Sequence, residues 1–298
     1  MEKYDFIKEH AEAFEVVDLC KAMSVSRTAF YRYTRGETYM LKAKRIKQQV
    51  AVKEVFWEHK RRYGSRRVSA ALKHQGIRIG RFKARSLMKE QDLKAIQPRS
   101  FVPKTTDNKH NGRISPNLLL DRKAVEKPNE VWVSDITYLP LSNGKWAYLG
   151  AWIDVYSRTI VGWKVADNMK DVLVYEPLLN AIKSRKPPKG LIIHSDRGRQ
   201  YSSDEFRKIV KRYKLTQSMS RTKNPYDNAF AESLWGRLKN ELLENGQFMS
   251  LEDARTEVFE YIEVYRAANR YNRKRLHSAL EYNTPVHFET QYYNNSVN

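Results

Sequence analysis

Three carboxylates in this sequence, Asp135, Asp196 and Glu232, are of a type and spacing that could do chemistry. Asp135 interrupts an extended apolar run, Val131-Trp132-Val133-Ser134-Asp135-Ile136-Thr137-Tyr138-Leu139. Asp196 ends a buried-strand pattern, Leu191-Ile192-Ile193-His194-Ser195-Asp196. Glu232 falls in an early turn of an amphipathic helix, within Asn228-Ala229-Phe230-Ala231-Glu232-Ser233-Leu234-Trp235. Carboxylates converging from two strands and a helix can hold two divalent ions ~3.5–4 Å apart over a phosphodiester, activating the nucleophile and stabilising the leaving oxygen of an in-line displacement. Hard oxygen donors in a wet site suit Mg²⁺ or Mn²⁺ rather than zinc. His194, beside Asp196, is either a group that positions a water or a phosphate, or a packed strand-end histidine. The competing reading of the acids is structural, three carboxylates paired with the chain's many arginines.

The elements that must position these acids follow from local pattern. Val131–Leu141 reads as a first strand, and Asn143-Gly144 as a hairpin turn into Lys145–Val155. Tyr156-Ser157-Arg158 turns the chain into a third strand, Thr159–Ala166. A helix is expected over roughly Lys170–Arg185, with Pro177 kinking or restarting it. Gly190–His194, an apolar run after a helix, reads as a parallel strand. Ser202-Ser203-Asp204-Glu205 is a capping box opening a helix through Tyr213. Leu215–Ser220 is a fifth strand, and a last helix carries Ala231, Trp235, Leu238 and Leu242 as its buried stripe. Three antiparallel strands, then helix, strand, helix, strand, helix, is the order of a ribonuclease-H-like α/β fold with a mixed five-stranded sheet. Asp135 within the first strand and Asp196 past the fourth share a site if those strands are neighbours, because ligands in open α/β sheets bind beyond the carboxyl ends of the strands.

The rest of the chain points to a polyanion. Its 298 residues carry a formal net charge of +21, with 41% hydrophobic residues, enough for a sizeable core. Residues 41–100 hold 18 Lys and Arg against 4 Asp and Glu, a net of +14. Such a one-signed segment favours nucleic acid over a solvated, balanced surface. Residues 5–35 read as short helices, with Phe6, Ile7, Ala11 and Phe14 on one face and Val16, Val17, Leu19, Cys20 and Met23 on the next. Ser24-Val25-Ser26 is a tight turn, and Ser26 a candidate N-cap for a helix offering Arg27, Thr28 and Arg32 to DNA, the pattern of a helix-turn-helix. A longer helix over 42–62 places Ile46, Val50, Val52, Val55 and Phe56 inward. Two short helices follow, Arg66–Gln75 and Arg81–Gln91, with Arg66, Arg67 and Arg81 among the DNA-facing bases and Val68, Leu72, Phe82 and Leu87 as a thin apolar set. Residues 101–127 form a linker, with Lys104, Lys109 and Arg113 available to DNA. The expected domains are therefore 1–40, 41–100, the linker 101–127, a catalytic core 128–248, and a C-terminal helix with a basic tail, 249–298. In that tail Ser250 caps a helix to about Asn269, Arg273, Arg275 and His277 are candidates to grip DNA phosphates, and 291–298 is frayed. There is one cysteine, Cys20, so no internal disulfide and no Cys-Cys zinc spacing. No run of eighteen apolar residues exists and the N-terminus lacks a signal-peptide shape. A reducing, intracellular protein is the expectation.

Trp132-Val133-Ser134-Asp135-Ile136-Thr137-Tyr138, His194-Ser195-Asp196-Arg197-Gly198 through Ser203, and Tyr226-Asp227-Asn228-Ala229 through Glu232-Ser233 together resemble the DDE transposases of the insertion-sequence-three family, OrfB type. Thirty-five residues separate Asp196 from Glu232, as in that family and in retroviral integrases. Lys239 matches the family's basic residue seven positions after the glutamate, and Tyr271-Asn272, Arg275, His277-Ser278-Ala279-Leu280 and Thr284-Pro285 its C-terminal signature. The resemblance covers nearly the whole chain, extending to Tyr63-Gly64 and Arg66-Arg67. It implies Mg²⁺-dependent cleavage and strand transfer at terminal inverted repeats, with Asp135, Asp196 and Glu232 carrying the metals and Asn228 as a further candidate for support. It also implies an upstream OrfA protein as partner or frameshifted fusion in many members, and a homo-oligomer in the synaptic complex. This chain shows no zipper heptads and starts at its own methionine, which casts it as one half of the working enzyme. Two other readings stand beside it: a DNA-binding regulator that acts through the helical modules, which intact acids oppose, and a ribonuclease-H-like nuclease, which two basic N-terminal modules oppose.

Overall fold

A computed structural model describes residues 2–96, 114–120, 124–221, 229–243, 246–263 and 271–296, with only the helical backbone at 38–42 and 229–232. The chain divides into two compact units, 1–57 with 64–94, and 58–63 with 95–298.

The first unit is helical. Helices α1 (Glu2–His10), α2 (Val16–Ala22) and α3 (Arg27–Thr34) close a small core on Ile7, Cys20 and Phe30. Phe6 and Phe14, expected on the inner face, are exposed. Ser26 occupies the N-cap of α3 in extended backbone, but its side chain makes no cap hydrogen bond. Helix α4 (Glu37–Glu58) buries Val52, Val55 and Phe56 while Ile46 and Val50 stay exposed. Helices α5 (Ser65–His74) and α6 (Arg81–Glu90) bury Val68, Ala71, Leu72, Ala84, Leu87 and Met88. Arg45 bonds Glu90 and Gln91 bonds the Gln49 carbonyl, so the end of α6 is tied to α4.

The second unit is built on one sheet. Strands β1 (Val131–Pro140), β2 (Trp146–Asp154), β3 (Ile160–Ala166), β4 (Ile192–Ser195) and β5 (Thr216–Met219) lie in the order β3-β2-β1-β4-β5. The first three are antiparallel neighbours; β4 runs parallel to β1 and β5 parallel to β4. This is the ribonuclease-H-like arrangement expected from the order of elements. One face buries Trp132, Trp152 and Ile193 under α7 (Val172–Arg185) and α8 (Asp204–Arg212). The other buries Val131, Val133, Leu139 and Leu149 under α9 (Ala229–Leu242) and α10 (Leu251–Ile262). Helix α7 runs on through Pro177 without a break. Gly162 of β3 faces that turn so closely that a Cβ would lie 2.2 Å from the Pro177 carbonyl oxygen, and the helix can reach the sheet only over a glycine.

The remaining connections differ from expectation in three places. The N-cap of α8 is Ser203, whose hydroxyl accepts from Phe206 N–H, one residue later than the box read from sequence. In the second half of the linker, Pro116 accepts from Met219 N–H and Leu118 donates to Ser218 Oγ, so this stretch lines β5; Lys104, Lys109 and Arg113 lie outside the described residues. The C-terminus is helical: α11 (Pro285–Ser296) packs Phe288 and Tyr292 against Tyr156 and pairs Glu289 with Arg185. Among the described residues no helix is long and apolar enough to cross a membrane.

Candidate active site

Asp135 sits midway along β1. Side chains alternate along a strand, and Val131, Val133 and Leu139 face the core beneath α9, so Asp135 faces α9 as well. There the Trp235 indole N–H donates to Asp135 Oδ2 at 2.9 Å. Trp235 is only 5% exposed and belongs to the packed core, so packing holds the ring and the ring holds the carboxylate. One turn further along α9, burial lowers the Lys239 pKa while the Asp135 carboxylate works against that shift.

Asp196 follows β4 directly. Val133 pairs with His194 in parallel register, so two residues on, Asp135 and Asp196 reach the same height at the carboxyl end of β4. Gly198 N–H donates to Asp196 Oδ1 at 2.9 Å, and a Cβ on Gly198 would lie 2.9 Å from that same oxygen. Glycine is therefore the residue that lets the turn close on the carboxylate. Both acids act on Tyr201, a fully buried phenol whose pKa is pushed well above 10.0, first by burial and then by Asp196 and Asp135. Its hydroxyl shares a 2.9 Å hydrogen bond with Ser134 Oγ. An uncharged phenol thus backs the two acids on the opposite face of β1.

Glu232 occupies the first turns of α9, three residues before Trp235. Its side chain and the whole of Asn228 lie outside the described residues. Among the described residues no three His, Cys, Asp or Glu side chains cluster tightly enough to hold a metal; the described site supplies two carboxylates at one height. That donor set fits a hard divalent cation and lacks the sulfur or imidazole ligands zinc prefers.

Three of the candidate polar residues are core instead. His194 is 0% exposed, with Nδ1 2.8 Å from Ser218 Oγ on β5. It is the packed strand-end histidine and cannot reach a phosphate. Arg275 is 2% exposed and forks onto Glu241 of α9, with Nη2 2.6 Å from Oε1 and Nε 3.1 Å from Oε2. Tyr261 donates to the same carboxylate at 2.8 Å, and Arg62 Nε donates to the Glu241 carbonyl at 2.8 Å. Burial opposes the Arg275 charge, but Glu241 outweighs it and raises the pKa. His277 is buried beside Arg275 and edge-on to Tyr271. The expectation that Arg275 and His277 grip DNA is therefore corrected: they lock the far end of α9, because a carboxylate 34 residues upstream gives the guanidinium a better partner than solvent. Arg27, Thr28, Arg32, Arg66, Arg81 and Arg273 are exposed, and Arg67 is half-buried.

The sequence pattern places Trp235 only in a buried stripe and, although Gly198 and Tyr201 fall within the motif from His194 to Ser203, gives neither of them a role. The signal for Trp235 was present: a tryptophan carries one N–H that needs an acceptor when buried, and this one stands a helical turn from Glu232.

A family profile described as Integrase core domain matches residues 125–225, and a second of the same description matches 213–285. An HTH-like domain profile matches 42–101. The transposase InsF for insertion sequence IS3A of Escherichia coli (strain K12) is 34% identical over 97% of this chain and 99% of its own length. The chain belongs to the IS3 family of transposases. The transposase is also 40% identical to that of insertion sequence element IS904 from Lactococcus lactis subsp. lactis (strain IL1403), over 80% of this chain and 91% of that one. It is 38% identical to the uncharacterized 31 kDa protein of insertion element IS600 from Shigella sonnei, over 92% and 98%. Among solved structures, the HTLV-2 integrase catalytic core domain in complex with magnesium (trimeric form) is similar at 18% identity and a TM-score of 0.41, over 55% of this chain and 97% of that one. The protein is a DNA transposase, with polynucleotidyl transferase chemistry seated in an integrase core and an HTH-like DNA-binding domain.

Proposed function

We propose that Asp135, Asp196 and Glu232 form the catalytic set of this transposase and carry out 3′-end cleavage and strand transfer at the terminal inverted repeats of its insertion sequence. The observation that carries the reading is the common height of Asp135 and Asp196 on adjacent parallel strands, with α9, which bears Glu232, packed across β1. When bound to these carboxylates, a pair of Mg²⁺ or Mn²⁺ ions supplies nucleophile activation and neutralises charge on the leaving oxygen. The chain's own residues prepare that site. Trp235 fixes the orientation of Asp135, Gly198 N–H fixes that of Asp196, and Lys239 sets a positive charge within electrostatic reach of Asp135.

In the first step water attacks the phosphodiester at the element's end. The new P–O bond forms as the bond to the 3′ oxygen breaks, leaving a free 3′ hydroxyl. That hydroxyl attacks a target phosphodiester in the second step and displaces the target's 3′ oxygen, so no protein–DNA bond is formed. Exposed Arg27, Thr28, Arg32, Arg66, Arg81 and Arg273 are the side chains for duplex contact. Joining two ends requires a homo-oligomer in the synaptic complex, with an upstream OrfA protein as partner or fusion, acting on the nucleoid in the bacterial cytoplasm.

Labelled duplexes carrying the ends of the element adjoining this gene test the reading, with nicking and joining followed in Mg²⁺ for wild type, D135N, D196N and E232Q. Each substitution should abolish joining and leave DNA binding intact. Joining that survives any of the three removes that residue from the set.

A further inference from the structure

We infer that Phe82 is a base-contacting residue of the HTH-like module and reads the 5-methyl group of thymine in the major groove. The inference rests on the reading of residues 42–101 as a DNA-binding module and deepens it to one residue and one chemical group.

Helix α6 buries Ala84, Leu87 and Met88. Its solvent face carries Arg81, Phe82, Arg85, Ser86 and Lys89, at the i, i+1, i+4, i+5, i+8 spacing of one stripe, all exposed. Phe82 is 78% exposed, although the apolar pattern of the sequence assigned it to the core. A phenyl ring on the polar face of an amphipathic helix breaks the binary pattern that the rest of α6 obeys, and such breaks mark function. Its surroundings say which partner it suits. Arg81 lies over the ring, 5.6 Å from guanidinium carbon to centroid. Arg78, Lys83 and Arg85 are exposed nearby in sequence, and no described acid pairs with any of them; the two acids at the end of the module, Glu90 and Asp92, are taken by Arg45 and Lys94. An apolar protein surface would have to desolvate these cations, whereas DNA supplies a phosphate for each.

Within duplex DNA, phosphates and sugars satisfy arginine and lysine but offer a phenyl ring nothing. The exposed apolar group of the major groove is the thymine methyl, and helix-turn-helix proteins present the first residues of the second helix to the base edges. Phe82 is the second residue of α6, as that docking requires.

The test uses the full-length protein and duplexes it selects from a random library. Each thymine of the selected site is replaced in turn by deoxyuridine, which removes only the methyl group. Wild type should lose three- to tenfold in affinity at one or two positions. Phe82→Ala should bind the parent site more weakly by a similar factor, be indifferent to deoxyuridine at those positions, and keep the same salt slope and circular dichroism. Arg81→Ala, by contrast, should lower the salt slope and keep the deoxyuridine response. Equal deoxyuridine responses in wild type and Phe82→Ala overturn the assignment, as does a selected site insensitive to every methyl group. Failure of wild type to enrich any duplex sinks the DNA-binding reading of the module itself.

Discussion

Replacing Arg275 by methionine should destabilise the catalytic unit by roughly 3–5 kcal/mol, the usual cost of removing one partner of a buried ion pair. The upper half of that range is favoured by the geometry. The side chains of Arg275 and Glu241 are 3% and 10% exposed, and the guanidinium contacts both carboxylate oxygens. Methionine leaves Glu241 with the Tyr261 hydroxyl as a donor but without the cation against which its carboxylate is buried. Urea unfolding followed by tryptophan fluorescence isolates the right unit, since five of the six tryptophans, all but Trp57, lie in it. A double replacement, Arg275→Met with Glu241→Met, should recover much of the loss, because removing both charges removes the stranded one. DNA binding discriminates the two accounts of this residue. As a core residue, Arg275 should leave the salt dependence of the folded variant unchanged. A phosphate contact would lower the slope by about one unit. A stability loss under about 1 kcal/mol together with a lowered slope would refute the buried-pair reasoning and return Arg275 to the DNA surface.

Trp235→Phe keeps the packing and removes the N–H that orients Asp135; loss of such an outer-shell donor should raise the Mg²⁺ concentration for half-maximal cleavage about 10–100-fold, read by metal titration, with calorimetry as the check independent of turnover. Gly198→Ala puts a Cβ against Asp196 Oδ1, and a displaced carboxylate should cost about a hundredfold in joining with unchanged circular dichroism; wild-type activity would show that the turn yields at no cost to the site. Tyr201→Phe strands the buried Ser134 hydroxyl and should cost roughly 1–3 kcal/mol at neutral pH. The Tyr201 pKa is raised in the folded state, so the native protein keeps a proton that the unfolded chain loses above pH 10.0. Wild-type stability should therefore fall as pH rises past that value, and Tyr201→Phe should flatten that part of the fall, as alkaline unfolding curves would reveal.

The path from sequence to structure was clearest for the sheet. The five strands lie where alternation and apolar runs put them, and the helices between them differ from expectation by a few residues at their ends. Of the three acids, Asp135 and Asp196 meet in register, and Glu232 is in the helix where the pattern placed it. Charge was read less well. Arg275 and His277 looked like a phosphate grip because basic residues cluster in the tail, yet both are buried, Arg275 on Glu241 and His277 between Arg275 and Tyr271. Phe82, Phe6, Phe14, Ile46 and Val50 looked like core because they are apolar at helical spacing, yet they face solvent.

The sequence by itself determined the order and type of the elements and which carboxylates were available for chemistry. Those depend on backbone geometry and side-chain type within a few residues, so a local pattern carries them. Only the tertiary structure decided that β4 lies beside β1 with Asp196 level with Asp135, that Trp235 holds Asp135, and which arginines face water. Register and burial are set by segments tens to hundreds of residues apart. A charge is stabilised or stranded according to what covers it, and no window of neighbouring residues contains that cover.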